Sequence, residues 1–183
     1  MFITQEQFDS LNSFLNTHDE FIIVGHKEPD GDCLASCLAM SSMLKKLKKT
    51  HQLLSSGPFK RTEIKRYEKY FSNHIASNTG IYGKVGVLML DCSESHRLGY
   101  IADEILNYDT FIIDHHQTSN ADDNFSIINS NAPAAAYLVQ LIYEHFIGQP
   151  DKHTAEILLL GMCTDTGFFK FLDEKSTTVF LAV

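Results

Sequence analysis

The sequence has few basic residues for its size, and this shortage limits the partners that it can bind. Its 183 residues include 15 Lys and Arg against 23 Asp and Glu, a formal net charge of -8. A surface of that charge repels long phosphate polyanions unless local cations reverse it. We therefore expect no binding of long duplex DNA, whereas a small phosphate substrate drawn to a metal site is compatible with the composition.

Cysteines and long apolar runs are also scarce. The four cysteines are too few and too scattered for a disulfide framework. No apolar run approaches the ~20 residues of a membrane span, and the first residues, MFITQEQFDS, lack the layout of a signal peptide. We expect a cytoplasmic, reduced protein that does not associate with membranes. The sequence leaves homodimer formation open.

Apolar runs alternating with amphipathic segments predict an α/β fold. Short apolar runs typical of buried parallel strands occupy residues 21–25, 85–90 and 110–113, with a further candidate at 124–129. Helical periodicity marks residues 4–18, 33–49, 98–106, 134–146 and 152–166, and the region 51–84 is less clear, with helical periodicity around 61–71. This order predicts a mainly parallel, Rossmann-like sheet flanked by helices, in one domain spanning residues 1–183.

Acidic and imidazole side chains follow three of these strands. The first strand is followed by His26, Asp30 and Asp32, the second by Asp91, and the third by Asp114, His115 and His116. Because the carboxyl ends of parallel strands share one edge, where such folds place their ligand crevice, we expect these side chains to meet there. A further carboxylate, Asp165, lies in the turn CTDTG after an apolar helix.

Carboxylates crowded in this way require cations between them, which favours a metal site. Mixed carboxylate and imidazole ligands suit Mn²⁺ better than Ca²⁺ or a thiolate-bound zinc. Two such ions sharing a carboxylate hold a hydroxide that can attack phosphorus. Each piece alone has a simpler explanation: PDGD is an ordinary turn and Asp91 a possible helix cap. Cys33 and Cys37 share a helix face and suggest a thiol metal site or, the favoured interpretation, small apolar fillers.

Four segments, HKEPDGDCLAS, LDCSESHRLG, DHHQTSN and GMCTDTGFF, resemble the four motifs of the DHH phosphoesterases, in order and across essentially the whole chain. The RLG of the second and the TDTG-F-F of the fourth are similar to the oligoribonuclease and pAp-phosphatase branch, the nanoRNases. Manganese-dependent pyrophosphatases share the first three motifs and usually differ in the fourth. One departure is mild: Ala35 stands where the family usually has glycine.

The resemblance implies a role for each motif residue. His26 and Asp30 would bind one metal ion, Asp91 would bridge to a second, and Asp32, His115 and Asp165 would complete the second site. His116 would face the substrate phosphate, with Asp114 orienting a histidine ring. Two residues are candidates for substrate contacts: Arg97, whose alternative role is a surface ion pair, and Asn120, whose alternative role is loop stabilisation.

The resemblance also implies a second, smaller substrate-binding domain with a glycine-rich motif, and nothing of that kind is present in these residues. The final stretch, DEKSTTVFLAV, is typical of a helix start without a stop signal. We therefore expect a truncation before that domain, with a minimal stand-alone enzyme as the alternative.

The function that the resemblance implies is a two-metal hydrolase of short single-stranded oligoribonucleotides or of 3′-phosphoadenosine 5′-phosphate. Alternatives are a phosphodiesterase of cyclic or linear dinucleotide messengers and a manganese-dependent inorganic pyrophosphatase. An alternative from another class is a nucleotide-sensing module without catalysis, which loss of a metal ligand would favour. All seven ligand and phosphate-contact positions are filled here, which argues against it.

Overall fold

The computed structural model describes residues 2–81, 83–117 and 125–171 and contains a five-stranded, entirely parallel sheet. The strands are β1 (Glu20–Gly25), β2 (Thr50–Leu54), β3 (Val85–Leu90), β4 (Asp109–Asp114) and β5 (Ser126–Ile128), in the spatial order β2-β1-β3-β4-β5. In register, Ile22 of β1 lies between Gln52 of β2 and Val87 of β3. The predicted α/β class with a parallel sheet is confirmed.

The described residues also form six α-helices. They are α1 (Gln5–Thr17), α2 (Gly31–Lys46), α3 (Thr62–Lys65), α4 (Ile101–Ile105), α5 (Ala135–Phe146) and α6 (Lys152–Asp165), and two 3₁₀ turns cover Glu68–Tyr70 and Ser95–Leu98. Of the six helices, α2, α3 and α4 lie between strands in the chain. The capping box at the start of α1 forms as its sequence predicts: Gln7 N–H donates to Thr4 Oγ1, and Thr4 N–H donates to the Gln7 side chain.

Successive strand residues point to opposite faces, so each continuous apolar strand supplies two separate cores. Phe21 and Ile23 of β1 belong to the larger core, which also contains buried residues of α1, α2, α5 and α6. Ile22 and Val24 belong to the second core, where they join residues of the Ser95–Leu98 turn and α4. Both faces of the central strands are therefore covered, and polar chemistry is confined to the sheet edges.

Several elements differ from the sequence expectation. The strand β2 was not predicted, because THQLL is half-exposed at the sheet edge and lacks a continuous apolar run. The predicted helices at 98–106 and 61–71 are shorter, each divided between a brief α-helix and a 3₁₀ turn. The helix expected after Ser176 lies outside the described residues. Within the described part of the chain, no helix has the length and apolar character to cross a bilayer.

Candidate metal centre

The polar side chains predicted to cluster do lie at one edge of the sheet. His26 directly follows β1, Asp91 directly follows β3, and His115 and His116 directly follow β4. All three strands are parallel and adjacent, so these residues emerge side by side at the carboxyl edge. Asp165, the last residue of α6, joins them there, with its carboxylate 3.4 Å from His115 Nε2.

The loop after β1 presents Asp30 as the N-cap of α2. Its Oδ1 accepts hydrogen bonds from the backbone N–H groups of Asp32 and Cys33, at 3.1 and 3.0 Å. This capping holds the carboxylate at the positive end of the helix dipole, where a negative charge is stabilised. The same Oδ1 is 3.8 Å from His26 Nε2, which places these two side chains together.

Asp32 is held by a different helix. Its fully buried carboxylate accepts hydrogen bonds from Ala135 N–H at 2.7 Å and Ala136 N–H at 2.8 Å, at the start of α5. The N-cap residue of α5, Ala134, has no side chain that can accept these bonds. Asp32 therefore caps α5 from α2, and the two bonds fix its carboxylate beside His115, whose Nε2 lies 3.7 Å away.

Asp91 occupies the centre of the cluster in a strained backbone conformation. Its φ of 57° lies in the left-handed region, which costs a non-glycine residue about 1–3 kcal/mol. Its N–H donates to Ile113 O at 2.9 Å, so the strained turn is held by the neighbouring strand. The buried carboxylate points one oxygen at each imidazole: Oδ2 is 3.4 Å from His26 Nε2, and Oδ1 is 3.6 Å from His115 Nε2.

Backbone carbonyls set the orientation of both imidazoles. The Nδ1–H of His26 donates to Lys27 O at 2.8 Å, and that of His115 donates to Ala132 O at 3.3 Å. In each ring the Nε2 atom therefore faces the carboxylates. Around His115 Nε2, the oxygens of Asp165, Asp91 and Asp32 lie at 3.4, 3.6 and 3.7 Å. Such second hydrogen bonds fix the tautomer of metal-binding histidines.

The carboxylates of the cluster differ in the direction in which their surroundings shift the pKa. Burial raises the pKa of Asp32, Asp91 and Asp165, and repulsion from neighbouring carboxylates raises each further. For Asp30, burial opposes ionisation, but hydrogen bonds from His26 and from the Cys33 N–H hold the pKa at about 2. Burial alone would lower the pKa of His26, yet its contacts with Asp30 and Asp91 raise it well above the ordinary value. The cluster therefore gathers more negative charge than its own groups stabilise.

Two buried atoms at the centre of the cluster, Asp91 Oδ1 and His115 Nε2, have no hydrogen-bond partner in the part of the chain that the structure describes. Buried polar atoms are normally satisfied, so an unpaired acceptor facing an unpaired imidazole nitrogen requires an explanation. A divalent cation accepts electron pairs from both atoms at once. The donor set of imidazole nitrogens and carboxylate oxygens therefore fits divalent cations such as Mn²⁺. Sets of three ligand atoms lie within 4.8 Å of one another in His26–Cys33–Asp91, Asp91–His115–His116 and Asp32–His115–Asp165.

His116 differs from His115 in its exposure and its partner. Its ring donates from Nδ1 to Asp114 Oδ1 at 2.8 Å, and its backbone N–H donates to the same oxygen at 3.1 Å. The hydrogen bond to Asp114 raises the pKa of His116 and, together with the ring's own charge, lowers that of Asp114 despite its burial. His116 is 45% exposed, whereas Asp114 is fully buried. The pair thus presents to solvent, at the edge of the cluster, an imidazole whose pKa is raised above its ordinary value.

The predicted substrate contacts have different outcomes. Arg97 is partly buried in the Ser95–Leu98 turn, and its positive charge acts to lower the pKa of His116. In the described part of the chain its side chain has no carboxylate within 4 Å, so the alternative role of an ion-pair partner is not observed. Asn120 lies outside the described residues.

Cys33 and Cys37, which share a face of α2, have different surroundings. Cys33, expected from the sequence to be an apolar filler, has its Sγ near His26 and Asp91, so this thiol is part of the cluster's surroundings. Burial and the neighbouring Cys37 thiol raise the pKa of Cys33, which keeps it protonated. Cys37 is buried in the apolar core, as expected of a filler. The sequence of the loop HKEPDGD does not indicate that the Cys33 thiol lies beside His26 and Asp91, because that contact depends on how α2 packs against β1.

Comparison with known families identifies the chain. Residues 20–162 match the DHH family, N-terminal domain, so the chain belongs to the DHH family. An uncharacterised protein of Methanocaldococcus jannaschii is 24% identical over 166 residues, which cover 86% of this chain and 49% of that protein.

Three solved structures are similar to the chain. An exopolyphosphatase-related protein from Bacteroides fragilis superposes with a TM-score of 0.79 at 21% identity, over 98% of this chain and 55% of that one. CDC45 from Entamoeba histolytica gives 0.57 at 17% identity, over 100% and 37%. The exonuclease RecJ bound to manganese gives 0.50 at 15%, over 87% and 42%. The chain thus spans about half the length of the relatives it matches, and these likenesses show the fold.

Proposed function

We propose that the chain is the catalytic domain of a metal-dependent phosphoesterase that uses two divalent ions, most readily Mn²⁺. The observation that carries this proposal is the pair of unpaired buried atoms, Asp91 Oδ1 and His115 Nε2, which face each other among carboxylates that burial and repulsion destabilise. RecJ, which shares the fold, is described as bound to manganese. Bound divalent ions polarise phosphate oxygens and lower the pKa of a water molecule towards neutrality.

The proposed ligand sets follow the two groups of contacts. His26 and Asp30 would hold one ion, Asp32, His115 and Asp165 would hold the other, and Asp91 would contribute one oxygen to each. Support comes from the distances: Asp91 Oδ2 faces His26, and Asp91 Oδ1 faces His115. Asp32 has both oxygens engaged by α5, which orients its remaining lone pairs and limits its movement.

His116 and Arg97 would contact the substrate. The raised pKa of His116 favours the imidazolium, which can donate a hydrogen bond to a phosphate oxygen or a proton to the leaving oxygen. Asp114 keeps this ring in one orientation by accepting from its Nδ1. Arg97, without a carboxylate partner in the described residues, is available for a bidentate grip on phosphate.

For the substrate, we propose short oligoribonucleotides or 3′-phosphoadenosine 5′-phosphate, with the chain as part of a longer two-domain protein. The branch similarity of the second and fourth motifs supports this choice. Two proteins of similar structure are named as an exonuclease and as an exopolyphosphatase-related protein, and both names refer to the cleavage of phosphate chains. Because of the second name, any substrate panel should also include polyphosphate as an alternative substrate.

The test is turnover in Mn²⁺ and in EDTA, on bis(p-nitrophenyl) phosphate, short oligoadenylates, 3′-phosphoadenosine 5′-phosphate, pyrophosphate and polyphosphate. We expect Mn²⁺-dependent release of p-nitrophenol and of nucleotide or phosphate, and its loss in Asp91→Ala. The exposed Asp103→Asn, which removes one carboxylate from α4, is the matched control. Absence of turnover on every substrate in Mn²⁺, or an active Asp91→Ala variant, would contradict the proposal.

A further inference from the structure

Residues 60–70, which we call the basic segment, are rich in positive charge although they also contain Glu63 and Glu68. The segment holds five of the chain's 15 lysines and arginines, although the chain as a whole carries a net charge of -8. Two tyrosines, Tyr67 and Tyr70, are interleaved with these cations. Cations alternating with aromatic rings are the composition of surfaces that bind single-stranded nucleic acid.

The basic segment and helix α6 enclose a groove of about 540 Å³. Arg66, Tyr67, Lys69 and Tyr70 line one side, and the opposite side is formed by residues of α6, including His153 and Ile157. Glu156 is the acidic residue in this lining, and its carboxylate lies 3.8 Å from Lys152 Nζ. The groove is therefore predominantly cationic and aromatic, with one carboxylate paired at its far end.

The two cations in the groove are not used by internal ion pairs. Lys60 and Lys65 each lie 2.7 Å from a glutamate, but Arg66 and Lys69 have no carboxylate within 4 Å among the described residues. Instead they lie over aromatic rings: the Arg66 guanidinium is 4.7 Å from the Tyr67 ring, and Lys69 Nζ is 5.2 Å from the Tyr70 ring. Both charges remain available to phosphate.

Tyr70 offers an exposed ring beside these charges. It is 55% exposed, so part of its ring faces solvent. The Tyr67 ring lies 6.4 Å away at 38° and is largely buried, and the Arg66 side chain donates to its hydroxyl at 2.7 Å. The buried tyrosine thus anchors the segment, while the exposed one presents a ring on which an unpaired base can stack.

The groove lies along α6, the helix whose last residue, Asp165, belongs to the metal centre. Arg61, in the basic segment, has its Nη2 atom 3.9 Å from Asp30 Oδ2, so the segment approaches the metal centre at this point. The loop after β1 is held in the same region by the Glu28 N–H, which donates to Gly57 O. Helix α6 ends at Asp165, and with a rise of about 1.5 Å per residue its Leu160 and His153 lie about 8 and 18 Å back along the axis. At about 3.4 Å per stacked nucleotide, that interval corresponds to roughly two to five nucleotides beyond the metal centre.

We propose that this groove binds the body of a single-stranded oligonucleotide whose terminal phosphate bond lies at the metal centre. Arg66 and Lys69 contact its backbone phosphates, and Tyr70 stacks on a base. The inference rests on the proposed function and adds to it a substrate longer than a dinucleotide. Duplexes are disfavoured because bases inside a duplex are stacked between neighbouring base pairs and offer no free face to Tyr70. Polyphosphate would use the cations without the ring.

The test is binding measured by fluorescence anisotropy in EDTA, so that no turnover occurs, with labelled oligoadenylates of two and seven nucleotides. We expect the heptanucleotide to bind more tightly than the dinucleotide. The double variant Arg66→Glu, Lys69→Glu should lose this gain and reduce the slope of log affinity against log salt by about 1.4, or ~0.7 for each lost phosphate contact. Tyr70→Leu should weaken heptanucleotide binding by about 5- to 100-fold.

The matched control is Lys45→Glu, Lys84→Glu, which makes the same charge change at exposed positions of the opposite sheet edge. An equal loss in this control, unchanged affinity in the groove variants, or equal binding of a heptamer duplex would overturn the inference. Polyphosphate that competes fully with the heptamer while Tyr70→Leu has no effect would also overturn it. Melting curves verify folding, and Arg66→Gln, Lys69→Gln replaces a double variant that does not fold.

Failure of this inference can be distinguished from failure of the proposed function. Hydrolysis of bis(p-nitrophenyl) phosphate by the wild-type chain reports on the metal centre with a substrate too small to reach the groove. Length-dependent binding without turnover of any substrate in the panel supports the groove and contradicts the proposed function. Hydrolysis without length-dependent binding overturns the groove alone.

Discussion

Replacing Asp165 with asparagine should stabilise the metal-free protein while weakening its response to metal. Asp165 is the last residue of α6, where a negative charge opposes the helix dipole. Among the described residues, no hydrogen bond to its carboxylate compensates for its partial burial. Burial and repulsion from neighbouring carboxylates raise its pKa. A group whose pKa is higher in the folded state destabilises the fold at pH values above that pKa. Removing its charge should therefore increase the stability measured in EDTA at pH 8.

The distances set the size of the effect. Carboxylate oxygens of Asp32 and Asp165 lie within 4.8 Å of each other. Two unit charges at that separation repel by about 3.5 kcal/mol at an effective dielectric constant of 20 and by about 0.9 kcal/mol in water. Since the Asp165 side chain is 28% exposed, we expect a gain of about 1–2 kcal/mol. For a chain of 183 residues this raises Tm by about 3–5 °C.

The assay is a pair of thermal melts for each protein, one in EDTA and one in Mn²⁺. A ligand at 100 times its Kd stabilises the folded state by about 2.7 kcal/mol, or ~7 °C for a chain of this length. We expect that rise in the wild type and a smaller one in Asp165→Asn. Asp103→Asn, on the exposed side of α4, controls for the change in net charge and should show no gain in EDTA. A lower Tm of Asp165→Asn in EDTA, or an undiminished Mn²⁺ response, would refute this reasoning.

Three further predictions concern groups around the centre. Asp114→Asn should lower kcat by about 10- to 100-fold while Mn²⁺ binding persists, because His116 loses its orienting carboxylate; unchanged kcat would contradict this role. Gly161→Ala should lower the free energy of unfolding by about 1–3 kcal/mol in denaturant titrations. A Cβ at this position would lie 2.7 Å from the Ala35 side chain, and this overpacking outweighs the gain in helix propensity. A stabilised variant would contradict this packing. Asp151→Ala should cost about 1 kcal/mol at pH 7 through loss of the α6 cap. Because the pKa of Asp151 is lowered to about 2, its contribution is present above its ordinary value of 3.8 and lost as the pH falls towards 2, so melts should converge with falling pH; a constant difference would contradict the cap.

The sequence was sufficient for the three central strands because they are continuous apolar runs that are followed by Asp or His. That pattern is specific to buried parallel strands whose ends line a ligand crevice, so the edge position of His26, Asp91 and His115 followed from it. The strand β2 has no such apolar run, so the sequence did not predict it. An edge strand is solvated on one side and does not need apolar residues throughout.

Long-range contacts account for the rest. No local pattern indicates that Asp32 caps α5, because its partners lie 103 and 104 residues away in the chain. The same applies to the orientation of the two imidazoles, which carbonyl groups of Lys27 and Ala132 determine. The groove between the basic segment and α6 likewise depends on how two distant helical regions pack, which periodicity does not report.

The most direct measurement is a crystal structure of the chain with Mn²⁺, analysed by anomalous scattering at the manganese edge. We expect two peaks at the carboxyl edge of the sheet, one contacting His26 and Asp30 and the other contacting Asp32, His115 and Asp165. An oxygen of Asp91 should contact each ion. A single peak, ions placed elsewhere on the chain, or an Asp91 carboxylate that contacts neither ion would contradict the account.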